Sequence, residues 1–315
     1  MADTTPLLET QCRPPCCVRM FFNILVQVVS RFNEKAINIE VVVESFRCLF
    51  FIGFLGLTLL GICLTKMFVT VDHQAIIMDV FGGPNACSYL DFPPATYVMP
   101  FVWVFPLIFG IIYNVVSMFR IWIAHEEAKI GVCAKRLLWF AHIYFIVSLM
   151  YFSTCFAVQP DRKVPVTMIV HTVPYANLKL ALCILQFAVV WFGGKVSWNE
   201  IMANSECCSR NVFMTLSWVH VFLQWVVMIV SQILIINALA DMGPSNLKGK
   251  GLWWDVRGPG LLTLWEVTTN KGSFILGCIL PLIQSVYLAS RSITSVSETH
   301  TVNFFITDNR KSNVD

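Results

Sequence analysis

Residues 48–70 read CLFFIGFLGLTLLGICLTKMFVT, an unbroken apolar run whose one charge, Lys66, falls near its end. About 20 apolar residues in helical conformation cross the ~30 Å hydrocarbon core of a bilayer, so this stretch has the length of a transmembrane helix. Five more of the same kind follow, near 98–120, 137–158, 172–193, 212–240 and 272–291. Periodicity says little inside them, because apolar residues occupy nearly every side; length and polar flanks define them. The fourth starts least cleanly, with Pro174, Asn177 and Lys179 in its first two turns. The expected fold class is all-α: a polytopic membrane protein with six transmembrane helices.

Composition demands the same solvent. Hydrophobic residues make up 57% of the chain and charged ones 13%, with a mean hydropathy of +0.68. Soluble domains carry about 25% charge, and one of this length could not bury so much apolar surface. Lys and Arg orient the bundle. With the N-terminus inside, the cytosolic segments hold fourteen of them and the outer loops six (Arg162, Lys163, Lys248, Lys250, Arg257 and Lys271), leaving Lys66 and Lys179 within spans. Both termini are therefore expected in the cytosol. Of the 12 cysteines, Cys87 alone falls in an outer loop, so no disulfide framework is expected. With polar first residues, no cleavable signal peptide is expected.

Ahead of the first span, Met20, Phe21, Ile24, Leu25, Val28, Val29 and Phe32 recur at helical spacing, opposite Arg19, Asn23, Gln27 and Arg31. That pattern predicts an amphipathic helix in the membrane interface; an ordinary cytosolic extension of the bundle is the alternative. The chain divides into a tail (1–17), the interfacial or cytosolic helical segment (18–46), the six-helix domain (47–291) and a C-terminal tail (292–315). Cys16 and Cys17, with Cys207 and Cys208 between the fourth and fifth spans, are juxtamembrane pairs of the kind that accept palmitate; unmodified thiols are the alternative. Asp3-Thr-Thr-Pro-Leu7-Leu8 has the form of an acidic dileucine sorting signal, in which an extended peptide offers Asp3, Leu7 and Leu8 to separate pockets of a clathrin adaptor. It points to an endosomal or lysosomal membrane, with plasma membrane and endoplasmic reticulum as alternatives. The outer loops hold no Asn-x-Ser/Thr glycosylation sequon, which argues the other way.

Ionisable groups inside a bilayer mark function by default. No Asp or Glu lies at the centre of a span. Lys179 is the one cation well inside, nearer the outer end; it either snorkels to the headgroups or faces an anionic group in a cavity. The fifth span carries a polar stripe in which Ser217, His220, Gln224 and Ser231 fall near one face. Interhelical hydrogen bonding is the plain reading. The sharper reading is a polar cavity of His142, Lys179, Gln186, His220 and Gln224. Two clean histidine pairs for haem cannot be drawn, no His–Cys spacing suggests zinc, and no acid lies at depth to orient a nucleophile and base. No enzyme activity, cofactor or nucleic-acid partner is expected; membrane lipids are.

One further pattern concerns the order of features. Tyr89-Leu-Asp-Phe-Pro93-Pro94 leads into the second span, a short loop runs from Gln159 to Val170, His171 opens the fourth span, and the last span ends Ile283-Gln284-Ser285 before a Ser/Thr-rich tail. Over roughly residues 48–300 this resembles the six-span Frag-type family, which includes the damage-regulated autophagy modulators (DRAM proteins). The long N-terminal tail, the interfacial helix and Lys179 depart from it. The resemblance implies a modulator of autophagy or membrane trafficking in lysosomes or endosomes, without a catalytic centre. Related Frag-type proteins act in lipid remodelling of GPI anchors. The expected function is thus a non-enzymatic, lipid-binding membrane protein of the endolysosomal system. A small-solute transporter or channel, which needs a continuous polar cavity, is the first competitor. A lipid-remodelling factor, which needs a carboxylate, a histidine and a hydroxyl at one leaflet, is the second.

Overall fold

The computed structural model describes residues 37–68, 89–159, 164, 166–198, 207–240, 271–294 and 301–306. Two compact units are present: one of residues 1–41 with 301–315, the other of residues 42–300. Within the described part of the first, strands β1 (Ile37–Val42) and β2 (Thr301–Ile306) pair in a two-stranded sheet. The amphipathic segment before residue 37, the dileucine signal and Cys16 and Cys17 lie outside the described residues.

The second unit is a bundle. Its helices are α1 (Val43–Phe68), α2 (Ala95–Glu126), α3 (Val132–Phe152), α4 (Val166–Phe192), α5 (Cys207–Ala240) and α6, which runs unbroken through Gly272–Phe274, a π turn at Ile275–Ile279 and Leu280–Thr294. A 3₁₀ turn (Ser153–Phe156) extends α3, and a π turn (Gly193–Ser197) extends α4. Among the described residues, six helices are long and apolar enough to cross a membrane. The chain is an all-α polytopic membrane protein. Only helices satisfy every backbone amide within one apolar segment, and large side chains such as Phe101, Leu137, Phe222 and Ile236 stand outward where lipid is their only favourable contact.

The helices pack as a ring in chain order, α6 closing on α1. The most enclosed is α4: 61% of its span is buried, against 39% for each of the others. That explains its irregular beginning. Asn177 accepts from the Tyr144 hydroxyl (2.7 Å) and donates to Ser148 Oγ (2.8 Å), so this polar residue faces α3 rather than lipid.

Aromatic rings fill the junction of α1, α2 and α3. Phe50 meets Phe145 edge-on (5.6 Å between centroids), and Trp103 meets Phe152 (4.9 Å) while donating from Nε1 to Ser153 Oγ (2.9 Å). The short turn between α2 and α3 is a Schellman motif. Lys129 N–H bonds to Ala124 O and Ala128 N–H to His125 O, with Ala128 at φ 57° in the left-handed position usually given to glycine.

Close approach in this junction depends on Gly110 of α2. A Cβ there would stand 2.7 Å from Leu149 Cδ1 and 3.0 Å from the Phe50 ring. Gly56 of α1 has open space around it. Gly110→Val should lower the melting temperature of the purified protein, with an overpacking cost of about 1–3 kcal/mol, whereas Gly56→Val should leave it unchanged. Equal melting of the two variants would show that this junction is not tightly packed.

Candidate functional site

Two groups of polar side chains inside the bundle stand out. The first gathers where α1 begins. Arg47 is 1% exposed, one turn into α1. A guanidinium stays protonated under all ordinary conditions, so its burial requires acceptors. Nη1 donates to Glu44 Oε2 (3.4 Å), and Nη2 donates to Gln186 Oε1 of α4 (2.7 Å) and Gln284 Oε1 of α6 (2.6 Å). Arg120 of α2 approaches the other oxygen of Glu44 (3.9 Å).

The amide nitrogens carry the pattern outward. Gln284 Nε2 donates to Ser217 Oγ (3.0 Å), and Gln186 Nε2 donates to Gln284 Oε1 (2.8 Å) and lies 3.4 Å from His220 Nδ1. His220 Nε2 meets the Leu276 carbonyl of the π turn at 2.7 Å. A carbonyl only accepts, so Nε2 carries the proton and Nδ1 is the acceptor. The same reasoning fixes His142, whose Nδ1 donates to Asn114 Oδ1 (2.7 Å); Asn114 Nδ2 donates in turn to Gly110 O (2.6 Å).

The second group lies toward the end where α1 stops and α2 starts. Lys179 is 8% exposed; its Nζ donates to Ser231 Oγ of α5 (3.0 Å) and sits 4.5 Å from the centre of the Tyr175 ring. It lines two clefts that also share Leu182, Ser273 and Gly277. The larger, about 50 Å³, is walled by Phe54, Leu57, Phe152, Leu178 and Phe274; the smaller, about 30 Å³, by Val227, Met228 and Gln224. Gln224 Oε1 is buried and has no hydrogen-bond partner among the described residues.

Of the five residues expected in one polar cavity, the structure joins Gln186 with His220 and places Lys179 with Gln224. His142 is bonded apart from both pairs. The clefts at Lys179 are not lined by His142, Gln186 or His220. The stripe on α5 is therefore split: Ser217 and His220 belong to the Arg47 network, Gln224 and Ser231 to the Lys179 cleft. Cys207 and Cys208 are the first two residues of α5, and their side chains lie outside the described residues.

Two groups escaped the reading of the sequence. Arg47 and Arg120 are two of the fourteen basic residues assigned to cytosolic segments, yet both point inward to Glu44. Asp91 appears in that reading only within the Tyr89-to-Pro94 stretch, with no role, yet its Oδ1 lies 3.5 Å from His171 Nε2. The spacing of α1 offered a signal for the first, since Glu44 and Arg47 are one turn apart on the face that carries the buried Phe51. Nothing local signals the second.

Comparison with protein-family models, curated proteins and solved structures gave no match. The Arg47 network ties side chains of five helices together by hydrogen bonds and ion pairs, whereas the Lys179 cleft combines a buried cation, an apolar wall and the unpartnered Gln224 Oε1.

Removing the guanidinium tests the first half. Arg47→Met leaves the buried Glu44 carboxylate short of a partner, a loss of about 3–5 kcal/mol, and should sharply reduce folded yield and melting temperature. Arg47→Met combined with Glu44→Met should recover part of the loss. Wild-type melting of the single variant would mean that the network contributes nothing to the fold.

Proposed function

We propose that this is a non-enzymatic multi-pass protein of the endolysosomal membrane that modulates autophagy or membrane trafficking, and that it holds an anionic membrane lipid at Lys179. The observation that carries the lipid reading is the cleft itself. One buried cation stands beside an apolar wall of Phe54, Leu57, Leu178 and Phe274, the pairing that a lipid with a charged headgroup and a hydrocarbon chain requires. The orphan acceptor Gln224 Oε1 suits a headgroup hydroxyl. Half-buried Phe54, Tyr175 and Leu182 on the rim suit a chain lying partly in the surrounding bilayer, so the small enclosed volume is no obstacle.

The transporter reading needs a polar path through the bundle, and the polar atoms of His142, Gln186 and His220 are already bonded to neighbours. The lipid-remodelling reading has Asp91 and His171 at one leaflet in its favour. Their neighbour Cys155, however, directs its thiol to the His171 carbonyl (3.1 Å) rather than to the imidazole, which is not the arrangement of a base activating a nucleophile. The endolysosomal address rests on Asp3, Leu7 and Leu8 as an adaptor-binding signal and on the resemblance to the Frag-type family.

Lipid binding is tested by photo-crosslinking the purified full chain in nanodiscs with a photoactivatable phosphatidylserine, and with the corresponding phosphatidylcholine as control. Label should concentrate on peptides containing Leu57, Leu182 and Phe274. Lys179→Gln should reduce phosphatidylserine labelling about tenfold, the loss of one charge-assisted hydrogen bond, at unchanged melting temperature. Labelling that ignores headgroup charge overturns the reading. The address is tested separately: Leu7→Ala with Leu8→Ala should shift the protein from lysosomes to the cell surface, and an unchanged distribution removes the sorting signal.

A further inference from the structure

Residues 89–94 form a short strap over the end of the bundle. Thr65 Oγ1 donates to Tyr89 O (2.5 Å), and Lys66 Nζ lies 5.9 Å from the centre of the Tyr89 ring. Leu90 follows, a wall of the larger Lys179 cleft. Asp91 then turns in toward His171 of α4, and the two side chains are 13% and 4% exposed.

The protonation of this pair is constrained by its surroundings. His171 Nδ1 lies 3.0 Å from the Val158 carbonyl, which can only accept, so Nδ1 holds a proton. In the neutral imidazole the other nitrogen is then a bare lone pair. That nitrogen is buried without a hydrogen-bond partner and faces Asp91 Oδ1 at 3.5 Å. With Asp91 ionised and His171 neutral, an acceptor faces an acceptor. One added proton turns the contact into an imidazolium–carboxylate pair or a carboxylic acid donating to nitrogen.

We infer that Asp91 and His171 form a one-proton site, and that the proton bound between Oδ1 and Nε2 latches the 89–94 strap to α4. The small cleft beside the pair shares Leu90 and Phe152 with the Lys179 cleft, so closing the latch closes a common wall. The latch is independent of the lipid reading; only its effect on lipid rests on that reading.

Among the described residues, the other groups facing the pair are few. From the turn after α3 comes the Cys155 thiol, committed to the His171 carbonyl. From α2 comes the Thr96 hydroxyl, which accepts from Gln159 Nε2. From α1, Lys66 is held over Tyr89. On α4 itself, Tyr175 and Lys179 lie one and two turns further in and face each other. Asp161, Arg162 and Lys163 lie outside the described residues.

Burial pushes the Asp91 carboxyl up to about 6, against the opposing pull of His171. A carboxyl raised in the folded state stabilises that state fully below its unfolded value of about 4. The contribution is lost as pH rises through about 6. The latch therefore tightens on acidification through the range in which endosomes become acidic.

The test compares three forms of the full-length protein in detergent between pH 7.5 and 5. Wild type should melt about 2–4 °C higher at pH 5. Asp91→Asn places a permanent N–H donor toward Nε2, so it should match the acid form at both pH values and lose the pH dependence. Asp91→Ala should match the neutral form at both. A wild type that melts no higher at pH 5, an Asp91→Asn protein that keeps the wild-type pH dependence, or one that melts below wild type at pH 7.5, overturns the latch. If folding of Asp91→Ala fails, the wild-type and Asp91→Asn curves decide alone. Phosphatidylserine photo-labelling at both pH values reads the coupling: pH-dependent labelling in wild type and pH-independent labelling in Asp91→Asn supports it. Wild-type labelling indifferent to pH, with the melting pattern intact, overturns the coupling and leaves the latch. Absent headgroup selectivity at either pH would instead overturn the lipid reading.

Discussion

Arg47 is a permanent charge in a place where water does not solvate it, and the packing at one end of the bundle answers to that fact. Two glutamine carbonyl groups, Gln186 Oε1 and Gln284 Oε1, must both point at Nη2. Once they do, their amide nitrogens can only point away, toward His220 and Ser217. His220 accepts at Nδ1, so its proton must sit on Nε2, and the carbonyl of Leu276 receives it. One guanidinium thus sets the orientation of side chains on α4, α5 and α6, while Glu44 and Arg120 join α1 to α2. A hydrophobic face alone could not specify this, because lipid tails are as apolar as leucine and leave helices free to slide or rotate.

The other end has no such anchor. Lys179 has a flexible four-carbon stem and a compact ammonium that accommodates several partners. Its contacts in the structure include a serine hydroxyl and an aromatic face. Gln224 leaves its carbonyl oxygen unmatched beside it. Buried polar networks rigidify when every member is satisfied, and an unpaired buried polar group is costly.

The membrane-spanning architecture was legible because it depends on a one-dimensional quantity, the length of an apolar run. Residues 48–70 were enough to set the pattern, and the observed α1 differs by a few residues at its N-terminus because Val43, Glu44 and Arg47 continue the helix inward. The same extension explains the main misreading. A positive residue beside a span is ordinarily a marker of the cytosolic flank, and only the third dimension distinguishes a solvated flank from Arg47 folded against Glu44. The α5 stripe was legible as a stripe, since helical spacing puts Ser217, His220, Gln224 and Ser231 near one side. Its division was not, because the partners (Gln284, Gln186 and Lys179) come from other helices. Asp91 and His171 were each visible but could not be paired, since a loop residue and a helix residue far apart in sequence share no periodicity.

This division also limits how the protein can move. A route for a polar solute along the bundle axis would pass through the Arg47 network, and opening it would leave a buried carboxylate, a guanidinium and several amides without partners. Each such group costs on the order of 1–3 kcal/mol or more, so the network acts as a closed floor. Rearrangement is cheaper at the opposite end, where the strap is held by a few polar contacts at Tyr89 and Asp91 and where Leu90 and Phe152 are walls shared by neighbouring clefts. Under the proposed lipid reading, a bundle held at the Arg47 network and adjustable at the strap would exchange lipid with one leaflet rather than pass a solute across the bilayer. That asymmetry favours a protein that senses or holds a lipid over one that conducts a solute.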